Sequence, residues 1–150
     1  MSIIYLDTSA LLKLFIQEAH SDEVRKLVDT AEGAGTSMLA YPEMAATLTR
    51  AKRMHLLLDD VARSAWNQFL NDWPDFTRLK LSVPLTERAA RLAWDFGLRG
   101  YDAMHLSAAL IWQETLEERI VFATFDRLLW RAGKNASMLV WPEELTAPSP

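Results

Sequence analysis

Apolar residues recur along the chain in two patterns, short continuous runs and longer segments with a period close to 3.6 residues. The short runs predict buried strands and the periodic segments predict amphipathic helices. The predicted strands are residues 3–6, 36–39, 76–83, 120–123 and 138–141. Periodic apolar positions predict helices after residue 7, over 21–32, from 41 onward, and over 58–71, 85–96, 101–115 and 126–132.

Glycine and proline mark several of the predicted boundaries. Gly33-Ala34-Gly35 is expected to end the helix 21–32, and Gly133 is expected to stop the last helix at 132. Pro42 suits the first turn of the helix that opens at Tyr41. Strands separated by helices require crossover connections, so the pattern predicts an α/β protein with a parallel sheet and helices on both faces.

Composition narrows the possible classes of protein. The chain has 150 residues, 50% of them hydrophobic and 24% charged, which is ordinary for one globular domain. Cysteine is absent, which excludes disulfides, a thiolate nucleophile and a cysteine zinc site. Neither a membrane-spanning run nor a signal peptide is visible, so we expect a cytoplasmic protein with no membrane partner. The net charge of -4 restricts any contact with RNA to a local patch.

Four acidic residues occupy related positions in the predicted fold. Asp7 ends the first strand, and Glu43 lies in the first turn of the helix after the second strand. Asp126 follows the strand 120–123, and Asp102 opens the helix 101–115. Ligands of open parallel sheets bind beyond the carboxyl ends of the strands. We therefore expect these four carboxylates to gather at one edge of the sheet.

Each acid also has a purely structural explanation. Asp7 and Asp102 could cap helices, while Glu43 and Asp126 could complement helix dipoles. Together these explanations are weaker, because two carboxylates about 4 Å apart repel by about 4 kcal/mol at an effective dielectric of about 20. A divalent cation removes that repulsion, and ligation by oxygen alone suits Mg²⁺ or Mn²⁺.

Three segments resemble PIN-domain nucleases, and among them the VapC-like toxins of toxin–antitoxin pairs. They are residues 4–11 (IYLDTSAL), 100–109 (GYDAMHLSAA) and 123–129 (ATFDRLL), of which the second is the most specific. The resemblance implies a single PIN-like nuclease domain over residues 1–145, with a five-stranded parallel sheet of order 3-2-1-4-5. Residues 146–150 are expected to form a frayed tail.

The resemblance also implies an activity and a site. It implies a toxin that is an Mg²⁺- or Mn²⁺-dependent endoribonuclease, with one or two metal ions, an RNA substrate, a cognate antitoxin and a homodimeric assembly. The residues it would assign to metal binding and catalysis are Asp7, Glu43, Asp102 and Asp126, with Ser9 and Thr124 as supporting hydroxyls. The expected reaction is hydrolysis of the RNA phosphodiester by a metal-activated water.

Two further residues lie close to these acids in the sequence. Arg99, three residues before Asp102, is a candidate contact for an RNA phosphate. His105, three residues after Asp102, is expected to pack beneath the site rather than to act as a general acid.

Two other functions stay open at the level of sequence. One is an aspartyl-phosphate phosphatase with Asp7 as its nucleophile. That chemistry generally requires a second acid two residues later, where this chain has Ser9. The other is a catalytically silent PIN-like module that only binds a partner. The presence of all four acids argues against it.

Overall fold

Five parallel strands form the central sheet of this computed structural model, which describes residues 2–145. They are β1 (Ile3–Leu6), β2 (Gly33–Ser37), β3 (Thr77–Leu79), β4 (Val121–Ala123) and β5 (Leu139–Trp141). The strand order is β3-β2-β1-β4-β5, and every neighbouring pair is parallel. The predicted fold class and strand order are therefore confirmed. The predicted tail, residues 146–150, lies outside the described residues.

Seven helices connect the strands within residues 2–145. They are α1 (Thr8–Leu12), α2 (Ser21–Asp29), α3 (Ala40–Arg53), α4 (Asp59–Asp72), α5 (Val83–Phe96), α6 (Gly100–Leu116) and α7 (Arg127–Asn135). A short 3-10 turn, Trp73–Asp75, follows α4. In this part of the chain, no helix is both long and apolar enough to cross a membrane.

Strand β1 is buried on both of its faces, so it has an apolar core on each side. Tyr5 packs into a cluster with residues of α5, α6, α7 and β4. Ile4 and Leu6, which alternate with it, pack into a second cluster with residues of α1, α2, α3 and α4. The two-residue period of the strand thus assigns the side chain of Tyr5 to the face covered by α6.

The prediction that Gly33-Ala34-Gly35 ends a helix is wrong. Helix α2 ends earlier, at Asp29, and these three residues belong to β2. A Cβ atom on Gly35 would lie 2.7 Å from the Trp112 ring and 2.9 Å from the Thr77 carbonyl oxygen. Glycine is needed there because α6 packs directly onto the strand.

Gly133 likewise does not stop α7, which continues to Asn135. A Cβ atom at this position would lie 2.9 Å from the Phe122 ring and 3.2 Å from a methyl group of Val140. This glycine therefore allows α7 to approach β4 and β5 closely. Asp126 precedes a nine-residue helix rather than a brief turn.

The predicted strand 76–83 is also shorter in the structure. Strand β3 covers only Thr77–Leu79, and α5 already begins at Val83. The hydroxyl of Ser82 accepts a hydrogen bond from the Leu85 N–H and caps the helix. Helix capping by Ser82, with Pro84 in the first turn of the helix, therefore takes precedence over the local apolar pattern.

Candidate active site

Asp7 is the most buried of the four predicted acids, with 3% of its surface exposed. It follows β1 and caps α1, where its Oδ1 atom accepts from the Ala10 N–H at 3.0 Å. Oδ1 also accepts from Ser9 Oγ at 2.7 Å, and Oδ2 accepts from Thr124 Oγ1 at 2.6 Å. Both oxygens are therefore held in place by donors from the protein.

The two supporting hydroxyls connect Asp7 to the loop between β4 and α7. Ser9 Oγ accepts from the Phe125 N–H at 2.9 Å, and Thr124 Oγ1 accepts from the Asp126 N–H at 3.1 Å. Ser9 and Thr124 thus contact the carboxylate that the resemblance implied. Through Thr124, Asp7 and Asp126 belong to one hydrogen-bonded network.

Burial governs the ionisation of Asp7. It raises the pKa of the carboxyl group, and the charge of His105 and the hydrogen bonds from Thr124 and Ser9 offset this rise only in part. The ionised form therefore lacks sufficient positive charge around it. A cation bound nearby would stabilise that form.

Glu43 is held by two side chains that end on the same oxygen. It lies in the first turn of α3, and its Oε1 atom accepts from Thr8 Oγ1 at 2.7 Å. His105 Nε2 in α6 is also 2.7 Å from Oε1. His105 is fully buried, as predicted, and it contacts an acid of the candidate site directly.

These contacts determine the pKa of Glu43. Burial would raise it, but the hydrogen bond and the charge of His105, together with the bond from Thr8, lower it below its usual value. Glu43 therefore carries a negative charge at neutral pH. It is available as an anionic ligand.

Asp102 and Asp126 share one cationic side chain. Arg99 Nε is 3.1 Å from Asp102 Oδ2, and a terminal nitrogen of Arg99 is 3.1 Å from Asp126 Oδ2. Asp126 also caps α7, because its Oδ1 atom accepts from the Leu129 N–H at 2.9 Å. Burial, and then the negative charge of Asp126, raise the pKa of Asp102. The two carboxylates repel each other, and Arg99 lies between them.

Hydrogen bonds link Asp7, Asp126 and Asp102 through Thr124 and Arg99, while Glu43 is held separately by Thr8 and His105. The four acids do not converge as a finished ligand set. Within residues 2–145, no group of three or more Asp, Glu, His or Cys side chains is arranged to hold a metal ion. The donor chemistry nevertheless fits Mg²⁺ or Mn²⁺, since all four side chains offer hard oxygen atoms. The position of Arg99 indicates that a positive charge is favourable between the outer two.

Two residues of the site were not among the predicted site residues. Thr8 contacts Glu43 across 35 positions of sequence, and Tyr5 contacts His105 across 100. The only indication for Thr8 in the sequence was its position between Asp7 and Ser9, two predicted site residues. For Tyr5, the signal was a hydroxyl in a strand that is otherwise apolar.

Comparison with known proteins identifies the family of the chain. The family model of the PIN domain matches residues 4–135. Ribonuclease VapC45 of Mycobacterium tuberculosis (strain CDC 1551 / Oshkosh) is 36% identical over 149 residues, which cover 97% of this chain and 99% of the relative.

Two solved structures from Mycobacterium tuberculosis have a similar fold. VapBC-5, described as a member of the VapBC family of toxin–antitoxin systems, has a TM-score of 0.61 at 16% identity, with 93% of this chain and 98% of that chain covered. VapC20, described as a sarcin–ricin loop cleaving toxin, has a TM-score of 0.63 at 16% identity, with 95% and 99% covered.

Proposed function

Because the chain belongs to the PIN-domain family, we propose that it is a metal-dependent endoribonuclease and the toxin of a toxin–antitoxin pair. It hydrolyses phosphodiester bonds of RNA. The observation that carries this proposal is the presence of four carboxylates at the carboxyl edge of the sheet. Asp7, Asp126 and Asp102 are linked through Thr124 and Arg99, and Glu43 is held by Thr8, the residue next to Asp7. Its relation to a ribonuclease along nearly the whole chain supports the same activity.

The proposed cofactor is one or two Mg²⁺ or Mn²⁺ ions, held by Asp7, Glu43, Asp102 and Asp126. A bound divalent cation lowers the pKa of its water and stabilises the negative charge that builds on phosphorus. Divalent metal use is general among PIN ribonucleases, which supports this assignment. No histidine is then needed as the base.

The protein's own residues orient the acids for this reaction. Ser9 and Thr124 fix both oxygens of Asp7. Thr8 and His105 fix one oxygen of Glu43. Burial of Asp7 keeps bulk water from competing for its charge.

Arg99 has two roles in succession. In the free protein its guanidinium neutralises Asp102 and Asp126. Its side chain is 79% exposed, so it could turn toward an RNA phosphate if Asp102 and Asp126 held a metal ion instead. Arg99 would then neutralise the two acids in the free protein and contact the substrate during catalysis.

Attack by water rather than by the RNA's own 2′-hydroxyl determines the products. A new bond forms between the water oxygen and phosphorus, and the bond from phosphorus to O3′ breaks. The departing O3′ takes a proton. The downstream fragment then carries a 5′-phosphate and the upstream fragment a 3′-hydroxyl.

The proposed partner is a cognate antitoxin that covers the acidic site. Structural neighbours that are toxin–antitoxin complexes support this. An acidic site attracts cations, so we expect the antitoxin to present a basic side chain to it. A homodimer and a cytoplasmic location are part of the same proposal.

The decisive experiment incubates the purified protein with cellular RNA, with and without Mg²⁺ or Mn²⁺, and maps the cut ends. The proposal expects cleavage only with metal, and fragments that accept a 5′ adapter by direct ligation. The variant Asp7→Asn, purified in the same way, controls for contaminating ribonuclease. Fragments ending in a 2′,3′-cyclic phosphate, or cleavage in EDTA, would contradict the mechanism.

The toxin role needs a separate test. Isolation of the protein from its native host, followed by mass spectrometry, should recover a small basic-faced partner that blocks cleavage when added back. A protein recovered alone, active on RNA and harmless to its host, would contradict the toxin role while leaving the nuclease activity in place.

A further inference from the structure

We propose that Tyr5 and His105 are positioning residues that hold Glu43 by one oxygen, Oε1, and so reserve Oε2 as the ligand for metal. This inference rests on the proposed function, since it assigns a role within the same site. The inference concerns a series of hydrogen bonds, here called the Tyr5–His105–Glu43 chain, which runs from β1 through α6 to α3.

The chain is continuous and closed to solvent at its inner end. Tyr5 is 0% exposed and His105 is 1% exposed. The Tyr5 hydroxyl lies 2.7 Å from His105 Nδ1, and His105 Nε2 lies 2.7 Å from Glu43 Oε1. Only its last member, Glu43, reaches the surface.

The direction of the second bond follows from the acceptor. Glu43 Oε1 already accepts from Thr8 Oγ1, and a carboxylate oxygen has only lone pairs to offer. His105 Nε2 must therefore carry the hydrogen of this bond. At 3.1 Å, Thr8 Oγ1 also lies within reach of the same nitrogen.

Among residues 2–145, the bonds to the Glu43 side chain from Thr8 and His105 both end on Oε1. An oxygen with two donors has little remaining capacity to bind a metal ion. Oε2 keeps its lone pairs. The arrangement therefore selects which oxygen faces the site, and it prevents the carboxylate from rotating.

Packing alone does not explain a histidine at this position. Ser107, two residues further along α6, is also buried, and its hydroxyl bonds to the Leu85 carbonyl oxygen of the neighbouring helix. His105 instead uses its two ring nitrogens to join side chains of two other elements. Placing such a polar chain beside an apolar cluster costs free energy that an apolar pair would not.

Tyr5 can act on Glu43 only by positioning His105, because it does not contact Glu43 itself. Its hydroxyl reaches no further toward the site than His105. The Tyr5 side chain is completely buried, and its hydroxyl lies 2.7 Å from His105 Nδ1. Its role is to stop the imidazole ring from turning about its own axis.

The test measures Mn²⁺ binding by calorimetry on the full chain, together with kcat and KM for RNA. We compare Tyr5→Phe, His105→Leu and His105→Gln with a matched control, Ser107→Ala, which removes a buried hydrogen bond from the same helix. His105→Leu should weaken Mn²⁺ binding by about 10–100-fold, as loss of a partner of a ligand does. Tyr5→Phe should weaken it by about two- to tenfold, the equivalent of one hydrogen bond.

His105→Gln should recover part of the loss, because its amide can donate to Glu43 and accept from Tyr5. In all three variants we expect KM for RNA to change little at saturating Mn²⁺. Ser107→Ala should lower thermal stability and leave Mn²⁺ affinity unchanged. Should His105→Leu fail to fold, Tyr5→Phe and His105→Gln still decide the question.

Two failures are distinguishable. In the first, the wild-type protein binds Mn²⁺ and cleaves RNA, and Tyr5→Phe and His105→Gln bind Mn²⁺ as tightly as the wild type does. The hydrogen bonds of Tyr5 and His105 then serve only the stability of the fold, and this inference is wrong. If the wild-type protein neither binds Mn²⁺ nor cleaves RNA, the proposed function itself is wrong.

Discussion

The candidate site has two halves that are held in different ways. The inner carboxylates, Asp7 and Glu43, accept hydrogen bonds from hydroxyls, a backbone N–H and a buried histidine. The outer carboxylates, Asp102 and Asp126, share a single arginine whose side chain is 79% exposed. The inner half is fixed by the fold, whereas the outer half depends on an exchangeable cation.

This difference assigns different tasks to the two halves. Donors on α1, on α6 and in the loop after β4 keep the inner carboxylates in one geometry whether or not metal is bound, which is the preorganisation that catalysis requires. Exposed ion pairs are worth only about 0–1 kcal/mol, so Arg99 leaves the outer pair at little cost. We therefore expect the outer half to respond to metal, RNA and partner.

The largest effects should come from one carboxylate of each half, Asp7 of the inner half and Asp102 of the outer half. Asp7→Asn removes the charge at the centre of the network while it keeps the size of the side chain, and we expect RNA cleavage to fall below detection at any Mn²⁺ concentration. Asp102→Asn should also abolish cleavage. Cleavage is measured on labelled RNA with matched protein concentrations and circular dichroism to verify the fold.

A matched control is Asp60→Asn, which removes an exposed carboxylate from the first turn of α4. It should cleave RNA like the wild type. Full activity in Asp7→Asn or Asp102→Asn would mean that these residues do not hold the catalytic metal.

The four acids of both halves were predictable from sequence, but the residues that hold Glu43 were only partly so. Asp7 and Thr124 follow strands directly, and parallel strands bring their carboxyl ends to one edge. The bond between Tyr5 and His105 was not predictable, because it joins residues 100 positions apart through their positions on β1 and α6. Periodicity predicts the face of a strand or helix on which a residue lies, but it does not predict which residue of another element it contacts there.

The two errors about helix ends have a common cause. Gly35 and Gly133 were expected to end helices, as isolated glycines often do. In the structure both lie where another element packs too closely for a Cβ atom. A glycine required for tertiary packing cannot be distinguished from a helix terminator by the local pattern alone.

The next effect in size concerns the outer half. Asp126→Asn should lower Mn²⁺ affinity by tens of fold, within the range of about 10–100-fold for residues that act around a metal ion. Its Oδ1 atom is engaged in capping α7, which leaves one oxygen for other contacts. Saturating Mn²⁺ should then restore much of the cleavage rate.

The measurement is a titration of cleavage rate against Mn²⁺, run beside Asp7→Asn. The length of α7 matters here, because a nine-residue helix fixes Asp126 more firmly than a short turn would. If Asp126→Asn stays inactive in saturating Mn²⁺, Asp126 is as essential as Asp7 and Asp102, and the weaker role assigned to it here is wrong.

A smaller effect is expected for a mutation of Arg99, which should raise Mn²⁺ affinity rather than lower it. Arg99→Gln removes the cation that competes with metal for Asp102 and Asp126, so Mn²⁺ affinity should rise by about two- to fivefold, the equivalent of about 0.5–1 kcal/mol for exposed ion pairs. KM for RNA should increase, because the proposed phosphate contact is lost. Calorimetry and steady-state kinetics separate the two effects. A fall in Mn²⁺ affinity would show that Arg99 organises the acids rather than competing for them.

The smallest effect distinguishes the two inner carboxylates from each other, in EDTA and without RNA. The pKa of Asp7 is raised in the folded state from 3.8, so its contribution to stability is lost as pH rises above that value, and Asp7→Asn should stabilise the metal-free protein at pH 7. The pKa of Glu43 is lowered from 4.5, so its contribution to stability is present at neutral pH and is lost as pH falls. Glu43→Gln should therefore destabilise the metal-free protein at pH 7.

The measurement is the Tm of each variant as a function of pH, and a change of about 1 kcal/mol corresponds to about 2–4 °C in Tm for a chain of this size. Both differences from the wild type should shrink toward acid pH, and shifts of the same sign at pH 7 would show that hydrogen bonding, not charge, dominates at both positions.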